Sequence, residues 1–269
     1  MNHPRIAHKI YSEPWLLTPS QHASIQRAFE SHAAGLPANF APGIEQEDAP
    51  LRIGSVAVVS VFGIIGKHLS MLETACGGCD LNAVSDALSA AMDDPSTEAI
   101  VLHFDSPGGT VTGTPEMAER IAEAAKRKPI IAYTEGQCCS AAYWLASQCS
   151  AIYASQSSDV GSIGVYLALL DESAAMEKAG VKVNVIKAGK YKTAGAPFKP
   201  LSDEERALFQ ADVDAIYSKF TRAVAANRSH VSSDTMQGQS FSGEAAATNG
   251  LTDGVVDSLE EVLALLARN

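Results

Sequence analysis

The sequence predicts an α/β protein with a mainly parallel sheet, and three observations carry this prediction. The runs SVAVVSVFGII at 55–65 and AIVLHF at 99–104 lack polar alternation, which is typical of strands buried on both faces. Between them, LNAVSDALSAAMDD at 81–94 has its apolar residues at helical spacing. Glycine-containing turns, DSPGG at 105–109 and EGQCCS at 135–140, follow strands, and α/β folds place their sites at such strand ends.

The remaining elements continue the alternation of strands and helices. Thr114 is predicted to N-cap a helix whose first residue is Pro115, and a further helix begins at Ser140. Ser202 and the acidic residues after it open a long helix to about Asn227. The other predicted elements are strands at 129–134, 151–154, 161–169 and 181–186, and helices at 172–179 and 257–268.

The N-terminal part has the character of an appended arm. A helical pattern is present only at 19–32, and the segment 35–52 contains three prolines and several acidic residues, as linkers do. We therefore divide the chain into an arm and linker at 1–52 and one domain at 53–269. Residues 66–78 leave two alternatives, a wall of the substrate groove or a disordered surface loop.

Composition argues against several classes of function. The chain has 20 basic and 31 acidic residues and no basic run, which disfavours binding to nucleic acid. Cys76 and Cys79 form a C-x-x-C, but no second ligand pair stands at zinc-finger spacing, so we expect reduced thiols, no metal and no cofactor. The first 20 residues hold no apolar signal core, and no run of about 18 apolar residues follows. We expect a cytoplasmic protein with no membrane segment.

The two glycine-containing turns offer chemistry. The amides of DSPGG can form an oxyanion hole, because glycines reach backbone conformations that other residues avoid; the alternative is a tight structural turn, with Asp105 as a turn-former rather than an acid. Ser140, in CCSAAYW, stands where a helix starts and is either a nucleophile or an ordinary N-cap. Cys139 beside it is an alternative nucleophile, since a thiol attacks more readily than a hydroxyl.

A nucleophilic serine needs a base, and the histidines offer no recognisable motif. His103 lies within a predicted buried strand, which favours a role in the core, although sequence does not exclude a triad. A lysine serves as base if its pKa falls by about 3 from about 10.4, which apolar surroundings can cause. The segment AGKYKTAGAPF at 188–198 holds two such candidates, Lys190 and Lys192, each of which is otherwise an ordinary surface lysine.

At this point the motifs resemble a known family. VLHFDSPGG, CSAAYW, GSIGV, GKYKTAGAPF and FSGEAAATNGLTDGVV, in this order, are similar to motifs of the SppA (signal peptide peptidase A) family of Ser-Lys proteases. The resemblance implies a ClpP/crotonase-like fold of repeated β-β-α units. It also implies that Ser140 is the nucleophile, Lys192 the general base and Ser162 the residue that orients the lysine. Gly108 and the amide of Ala141 match the oxyanion hole.

The start of the chain narrows the resemblance. HPRIAHKIYSEPWLL is similar to the start of head-maturation proteases of tailed phages, which implies cleavage of scaffold, portal or other head proteins inside a host cell or procapsid. The resemblance further implies a homo-oligomer in which Ser140 and Lys192 of one working site come from neighbouring protomers. One departure is Ser140-Ala141-Ala142, where many members have glycines after the serine.

Three other functions stay open at this stage. One is a bacterial cytoplasmic SppA-like peptidase that degrades peptides. Another is a crotonase-type acyl-CoA enzyme, which would share the fold and the paired amides but has no use for a serine and a lysine. The last is a capsid-assembly component without catalytic activity.

Overall fold

Two β-sheets, one of eight strands and one of four, organise the described part of the chain. The computed structural model describes residues 10, 13–17, 22–27, 30 and 50–267. Most of the predicted linker at 35–52 therefore lies outside the described residues, whereas residues 22–27 of the predicted N-terminal helix are helical.

The described strands and helices alternate along most of the chain. The strands are β1 Trp15–Leu17, β2 Leu51–Ile53, β3 Val56–Phe62, β4 Ile64–Gly66, β5 Gly78–Asp80, β6 Ala99–Ser106, β7 Gly108–Thr110, β8 Ile130–Cys139, β9 Ala151–Ala154, β10 Asp159–Gly161, β11 Ser240–Ser242 and β12 Gly254–Val255. The helices are α1 Met71–Ala75, α2 Leu81–Asp93, α3 Thr114–Ala125, α4 Ala141–Ala146, α5 Ser173–Lys178, α6 Asp203–Asn227, α7 Gly243–Thr248 and α8 Leu259–Leu266, and a short 3₁₀ helix spans Ser233–Met236.

The large sheet confirms the predicted α/β class. Six of its strands run in the order β11-β10-β8-β6-β3-β2. The four central strands, β10, β8, β6 and β3, are parallel to one another, whereas β11 and β2 pair antiparallel at the two ends of this order. One face packs on helices α2, α3 and α4, and the other packs on α8 through Val262. Both faces are covered, which explains why β3 and the first half of β6 are apolar without alternation.

The small sheet has the order β1-β7-β4-β5 and accounts for a first correction. The run 55–65 was expected to be one strand, but Gly63, with φ of 89°, breaks it into β3 in the large sheet and β4 in the small one. A side chain at Gly63 would collide with the carbonyl oxygen of Gly77, so only glycine allows the chain to change sheets here.

Strand β8 is longer than predicted and contains a bulge. It continues to Cys139, so residues 135–139 of EGQCCS are strand rather than turn. Phe104 of β6 pairs with Thr134 of β8, and Ser106 of β6 pairs with Cys138 of β8. The two β6 residues are two positions apart, whereas their partners in β8 are four positions apart. Residues 135–137 of β8 thus stand opposite the single residue Asp105 of β6 and form a bulge with two extra residues. The first half of β8 pairs with β9, and the part after the bulge pairs with β10.

Two other predicted strands are wrong. A strand is predicted at 161–169, but the observed strand is Asp159–Gly161. Of the residues after it, Tyr166 forms one isolated bridge with Trp15. The segment 181–186 has no regular structure, and Val181, Val183 and Ile186 are exposed. Alternating apolar residues do not make a strand unless a second strand offers its backbone groups, and no described strand of this chain does so.

Most helix predictions hold, with local changes. Ser202 caps the 25-residue helix α6 in a capping box with Glu205, as its sequence predicts. Thr114 is the first helical residue and not the N-cap, which is Gly113; the Thr114 hydroxyl instead donates to the Thr110 carbonyl. Residues 66–78 are ordered, with helix α1 and the start of strand β5, so the disordered-loop alternative is wrong.

Candidate active site

Three neighbouring strands of the large sheet end at the same edge and bring the predicted site residues together. Register pairs Ser106 of β6 with Cys138 of β8, and Cys139 of β8 with Gly161 of β10. Gly108, Ser140 and Ser162 follow these strand ends, so three residues that are far apart in sequence lie side by side. This is the edge at which α/β folds place their sites.

Ser140 has an unusual backbone for an N-cap. Its φ is 54° and its ψ is −115°, outside the extended region that N-caps adopt, and its side chain makes no capping hydrogen bond. The residue is buried, and its amide donates to the Gly161 carbonyl oxygen at 2.7 Å. The ordinary N-cap interpretation therefore does not fit. A strained residue at the junction of strand and helix is the arrangement of a nucleophile elbow.

Gly108 packs directly on Ser140. Its φ is 112°, and a Cβ added to it would lie 2.9 Å from the Ser140 Cβ and would collide with the carbonyl oxygen of Leu16. Only glycine allows the backbone to approach the serine this closely. The amide of Gly108 lies 3.2 Å from the Ser106 hydroxyl oxygen, which accepts its hydrogen bond in this structure.

Backbone strain coincides with two of the predicted site residues. In the described part of the chain, the residues other than glycine with positive φ are His68, Ser140 and Ser162. Ser162 has φ of 52° and is buried, and its amide donates to the carbonyl oxygen of Gln239 at 2.7 Å. Such conformations cost about 1–3 kcal/mol each and cluster at functional sites.

Ala141 is the first residue of α4 and is fully buried. Amides in the first turn of a helix have no acceptor within the helix, so the Ala141 amide is available to a ligand beside Ser140. The donors at Gly108 and Ala141 flank the serine from two different strand ends.

Lys192 lies on an exposed segment, and within the described residues Ser140 and Lys192 make no hydrogen bond to each other. The Lys192 amide donates to the Gly189 carbonyl oxygen at 3.3 Å. The structure thus brings Gly108, Ala141, Ser140 and Ser162 together in one chain, whereas Lys192 is exposed and makes no hydrogen bond to Ser140.

Lys190, the other candidate base, already has a partner. Its ammonium group forms an ion pair with Glu204 at the start of α6, and Tyr191 donates to the same carboxylate at 2.6 Å. The hydrogen bond to Glu204 raises the pKa of Lys190, which keeps the amine protonated and unsuited to act as a base.

The thiol beside the nucleophile is a poor alternative. Cys139 is buried, its sulfur lies 3.4 Å from the carbonyl oxygen of Asp159, and burial raises its pKa to about 12. The thiolate is the reactive form, so this thiol is unreactive near neutral pH. Burial likewise raises the pKa of Cys138 well above its ordinary value.

Asp105 and His103 lie on β6 with their side chains away from the nucleophile. Asp105 accepts a hydrogen bond of 3.1 Å from the Gln137 amide and so fills the bulge of β8. His103 packs between the rings of Phe62 and Tyr133, with Glu135 at 3.8 Å. Burial lowers the pKa of His103, which fits the predicted role in the core.

Sequence reasoning missed two contributors to this edge. Ser106 holds the Gly108 amide, and Trp15–Leu17 lies against the strand that starts at Gly108. The first could have been found from its place inside DSPGG, and the second from the three consecutive apolar residues WLL in an otherwise polar arm.

Within the described ranges, no three His, Cys, Asp or Glu side chains are grouped so that they could hold a metal ion. Over the same ranges, no helix combines the length and the apolar character that crossing a bilayer requires.

Curated relatives include two phage proteins. The chain is 33% identical over 213 residues to capsid assembly protease C of Escherichia phage lambda, covering 78% of this chain and 48% of that protein. It is 30% identical over 213 residues to head-tail preconnector protein GP5 of Enterobacteria phage P21, covering 78% and 42%. Serine protease SPPA, chloroplastic, of Arabidopsis thaliana is 28% identical over 204 residues, covering 74% and 30%. The chain thus spans less than half the length of each of these three proteins.

Solved structures with a similar backbone include an enoyl-CoA hydratase/isomerase from Marinobacter aquaeolei, with a TM-score of 0.46 and 14% identity over 81% of this chain and 74% of that one. A serine-to-alanine mutant of the membrane-bound stomatin-specific protease 1510-N has a TM-score of 0.43 and 18% identity over 80% and 85%. Identities this low describe the path of the backbone and say nothing about chemistry.

The family profile of peptidase family S49 matches residues 122–268, which is more than half of the chain and includes Ser140, Ser162 and Lys192. Together with the phage and SPPA relatives, this match confirms the resemblance to SppA-like peptidases and to their phage branch, and with it the ClpP/crotonase-like fold class. The chain belongs to peptidase family S49.

Proposed function

We propose that this protein is a serine endopeptidase in which Ser140 is the nucleophile and Lys192 the general base. The observation that carries the proposal is the conformation of Ser140, which is buried and strained, makes no capping hydrogen bond and lies against Gly108. A strained serine whose hydroxyl makes no capping hydrogen bond is a poor choice for stability alone and a suitable one for attack on a peptide carbonyl.

In the proposed reaction, the neutral amine of Lys192 takes the proton of the Ser140 hydroxyl while Oγ bonds to the carbonyl carbon. The amides of Gly108 and Ala141 hold the oxyanion, which replaces Ser106 as the acceptor of the Gly108 amide. The C–N bond then breaks and the amine leaves with the proton from Lys192. Water, deprotonated by Lys192, attacks the acyl ester and restores Ser140. Ser162 orients the lysine.

We further propose that Lys192 reaches the serine of a neighbouring protomer in a homo-oligomer. Lys192 and the apolar residues at 181–186 are exposed in the single chain, and Ser140 makes no hydrogen bond to Lys192 of its own chain. Exposed valines a few residues before the proposed base in sequence are suited to be covered by a second copy. The domain at 53–269 of one protomer then supplies Ser140 to one active site and Lys192 to a second, neighbouring active site.

We propose head proteins of a phage or prophage, such as scaffold or portal, as substrates, because two relatives carry the names capsid assembly protease and head-tail preconnector. The alternative, a bacterial peptidase with broad peptide substrates, predicts cleavage of unfolded proteins in general. Coexpression with the head proteins of its own locus separates the two: discrete cleavage of one head protein favours the first, and equal degradation of casein the second.

The test of the catalytic residues uses four full-length variants with casein and self-cleavage as readouts. We expect Ser140→Ala and Lys192→Ala to be inactive, while Lys190→Ala and Ser147→Ala, the matched lysine and buried serine, keep activity. A mixture of Ser140→Ala and Lys192→Ala regains activity if sites are shared between protomers. Undiminished cleavage by Ser140→Ala would overturn the assignment of the nucleophile.

A further inference from the structure

The N-terminal strand β1 occupies a groove at the nucleophile. Trp15–Leu17 pairs antiparallel with β7, with Leu17 opposite Gly108 and Leu16 opposite Gly109. The carbonyl oxygen of Leu16 and the Cβ of Ser140 both crowd the position that a Gly108 side chain would take. A peptide carbonyl of an extended segment therefore lies beside the proposed nucleophile.

The same strand is held on its other edge by the segment after Ser162. The amide of Trp15 donates to the Tyr166 carbonyl oxygen at 2.9 Å, and the Tyr166 amide donates to the Trp15 carbonyl oxygen at 3.1 Å. An extended chain between two edges, each bonding its backbone, is the mode in which proteins bind peptides by adding a strand. One edge begins at the proposed oxyanion hole and the other follows the serine that is proposed to orient the lysine.

The groove accepts bulky apolar side chains on both faces of the strand. Trp15, Leu16 and Leu17 are 4%, 0% and 3% exposed, although successive residues of a strand point in opposite directions. The net charge of −11 disfavours acidic peptides at this surface. The chemistry of the groove therefore fits an extended apolar segment of an unfolded protein.

The fit of β1 leaves polar groups unsatisfied. Trp15 Nε1, Thr110 Oγ1 and Tyr166 Oη are buried and find no hydrogen-bond partner within the described part of the chain. Burial also raises the pKa of Tyr166 to about 12. Buried polar atoms without partners cost free energy, so β1 is bound less favourably than its apolar contacts alone would allow. A peptide that offers hydrogen-bond partners to Thr110 Oγ1 and Tyr166 Oη, the two of these atoms that belong to the groove, has an advantage over β1.

We propose that the groove between β7 and Tyr166 binds extended apolar peptides and that Trp15–Leu17 is an internal ligand which a substrate peptide displaces. The proposal rests on the proposed function in that the displacing peptide is the substrate of Ser140. Because β1 competes with the peptide, the apparent affinity equals the affinity of the free groove multiplied by the fraction of molecules in which the groove is free.

Peptide binding to the inactive full-length Ser140→Ala protein tests the proposal without need of catalysis. A fluorescent peptide SEPWLL, the sequence of residues 12–17, is titrated by anisotropy. Adding Leu16→Ala loosens the internal strand and is expected to lower the apparent Kd about ten-fold or more. Leu88→Ala, an equally buried leucine in α2, is the matched control and is expected to leave the Kd within about two-fold. A peptide with both leucines replaced by aspartate is expected not to bind.

A reversible disulfide between β1 and β7 provides a second test if the Leu16→Ala protein does not fold. Trp15 and Thr110 are register partners, and paired antiparallel residues have Cα separations of about 4.5–5.5 Å, which a disulfide spans. Oxidised Trp15→Cys/Thr110→Cys in the same background is expected to bind SEPWLL at least ten-fold more weakly than after reduction. Equal binding in both states, or no effect of Leu16→Ala in a folded protein, would show that β1 is a permanent wall of the site.

The outcomes separate this proposal from the proposed function. If wild type cleaves casein but loosening or locking β1 changes nothing, the peptidase assignment stands and the displaceable strand is wrong. If SEPWLL binds as expected but no variant or wild type cleaves any protein, the groove binds peptides and the catalytic assignment is wrong.

Discussion

The amide of Ser140 donates a hydrogen bond of 2.7 Å to the carbonyl oxygen of Gly161, and Gly161 directly precedes Ser162. The bond joins the ends of β8 and β10, so the two strained serines cannot move independently of each other. Each has a φ that glycine adopts without cost, yet neither is a glycine. The hydroxyl groups are therefore the property that outweighs the strain at these two positions.

The strain at Ser140 predicts that a glycine variant is more stable than an alanine variant at this position, the reverse of the usual order. We expect Ser140→Gly to be more stable than Ser140→Ala by about 1 kcal/mol, because only alanine keeps an unfavourable Cβ at φ of 54°. At Ser147, where φ is −62°, the order is reversed, since glycine there costs about 0.5–1 kcal/mol relative to alanine. Urea unfolding of the four variants measures both differences. The same order at both positions would contradict the strained conformation.

Crowding at Gly108 predicts a loss that strain alone does not cause. Gly108→Ala forces a Cβ onto Leu16 and to within 2.9 Å of the Ser140 Cβ, whereas Gly238, with φ of 90°, has open space around it. We expect Gly238→Ala to cost about 1–3 kcal/mol of strain, and Gly108→Ala to cost a further 1–3 kcal/mol of overpacking and to abolish peptide cleavage. Thermal unfolding and casein cleavage provide the comparison. Full activity of a folded Gly108→Ala protein would remove this glycine from the site.

The bulge of β8 makes Asp105 a positioning residue for Ser140. Its carboxylate accepts from the Gln137 amide, and a side chain at Gly136 would collide with it. We expect Asp105→Ala to lower kcat about ten-fold with little change in KM, since the segment before Ser140 loses its support. Asp105→Asn keeps the acceptor oxygen and should stay within about two-fold of wild type. An asparagine variant as weak as the alanine variant would show that charge, not the hydrogen bond, matters.

Burial of Cys139 predicts that activity is independent of this thiol. Its pKa of about 12 leaves almost no thiolate at pH 8, so iodoacetamide should not reach it within an hour, and Cys139→Ser should keep casein cleavage. Half-buried Cys76 is the internal comparison for alkylation, read by mass spectrometry. Rapid alkylation of Cys139 with loss of activity would instead support the thiol as nucleophile.

His103 predicts a loss of stability in mild acid. Burial lowers its folded pKa below the unfolded value of about 6.5, although Glu135 and Asp105 raise it in part. The unfolded chain then binds more protons, so the free energy of unfolding falls as pH drops from about 6.5 through the folded pKa and is unaffected above this window. His103→Gln should flatten this part of the urea-unfolding profile, with exposed His230→Gln as control. An unchanged slope in His103→Gln would assign the acid loss to other groups.

Sequence patterns were sufficient wherever a feature depends on neighbours along the chain. The long helix α6 begins after Ser202 and ends at Asn227 as predicted, because its capping box lies within four residues of sequence. The apolar strands and the start of a helix after Ser140 also follow from local composition. The five motifs were specific enough to place the chain in its family, which the match over 122–268 confirms.

Features that join distant segments were decided by the tertiary structure. Residues 181–186 have the alternation of a strand but pair with no strand among the described residues, while Trp15–Leu17, in a weakly patterned arm, pairs with two partner segments. The strand ends at Gly63, where the carbonyl oxygen of Gly77 leaves no room for a side chain. No local sequence pattern reveals this contact.

By itself, the sequence determined the family, the longer helices and the choice of Ser140 as the proposed nucleophile, because each depends on residue types at short spacing. Only the tertiary structure decided that Gly108, Ser140 and Ser162 meet at one end of the sheet and that β1 fills the groove beside them. Strand pairing and close packing depend on residues up to about a hundred positions apart, whose contacts are selected by the whole core and not by any local segment.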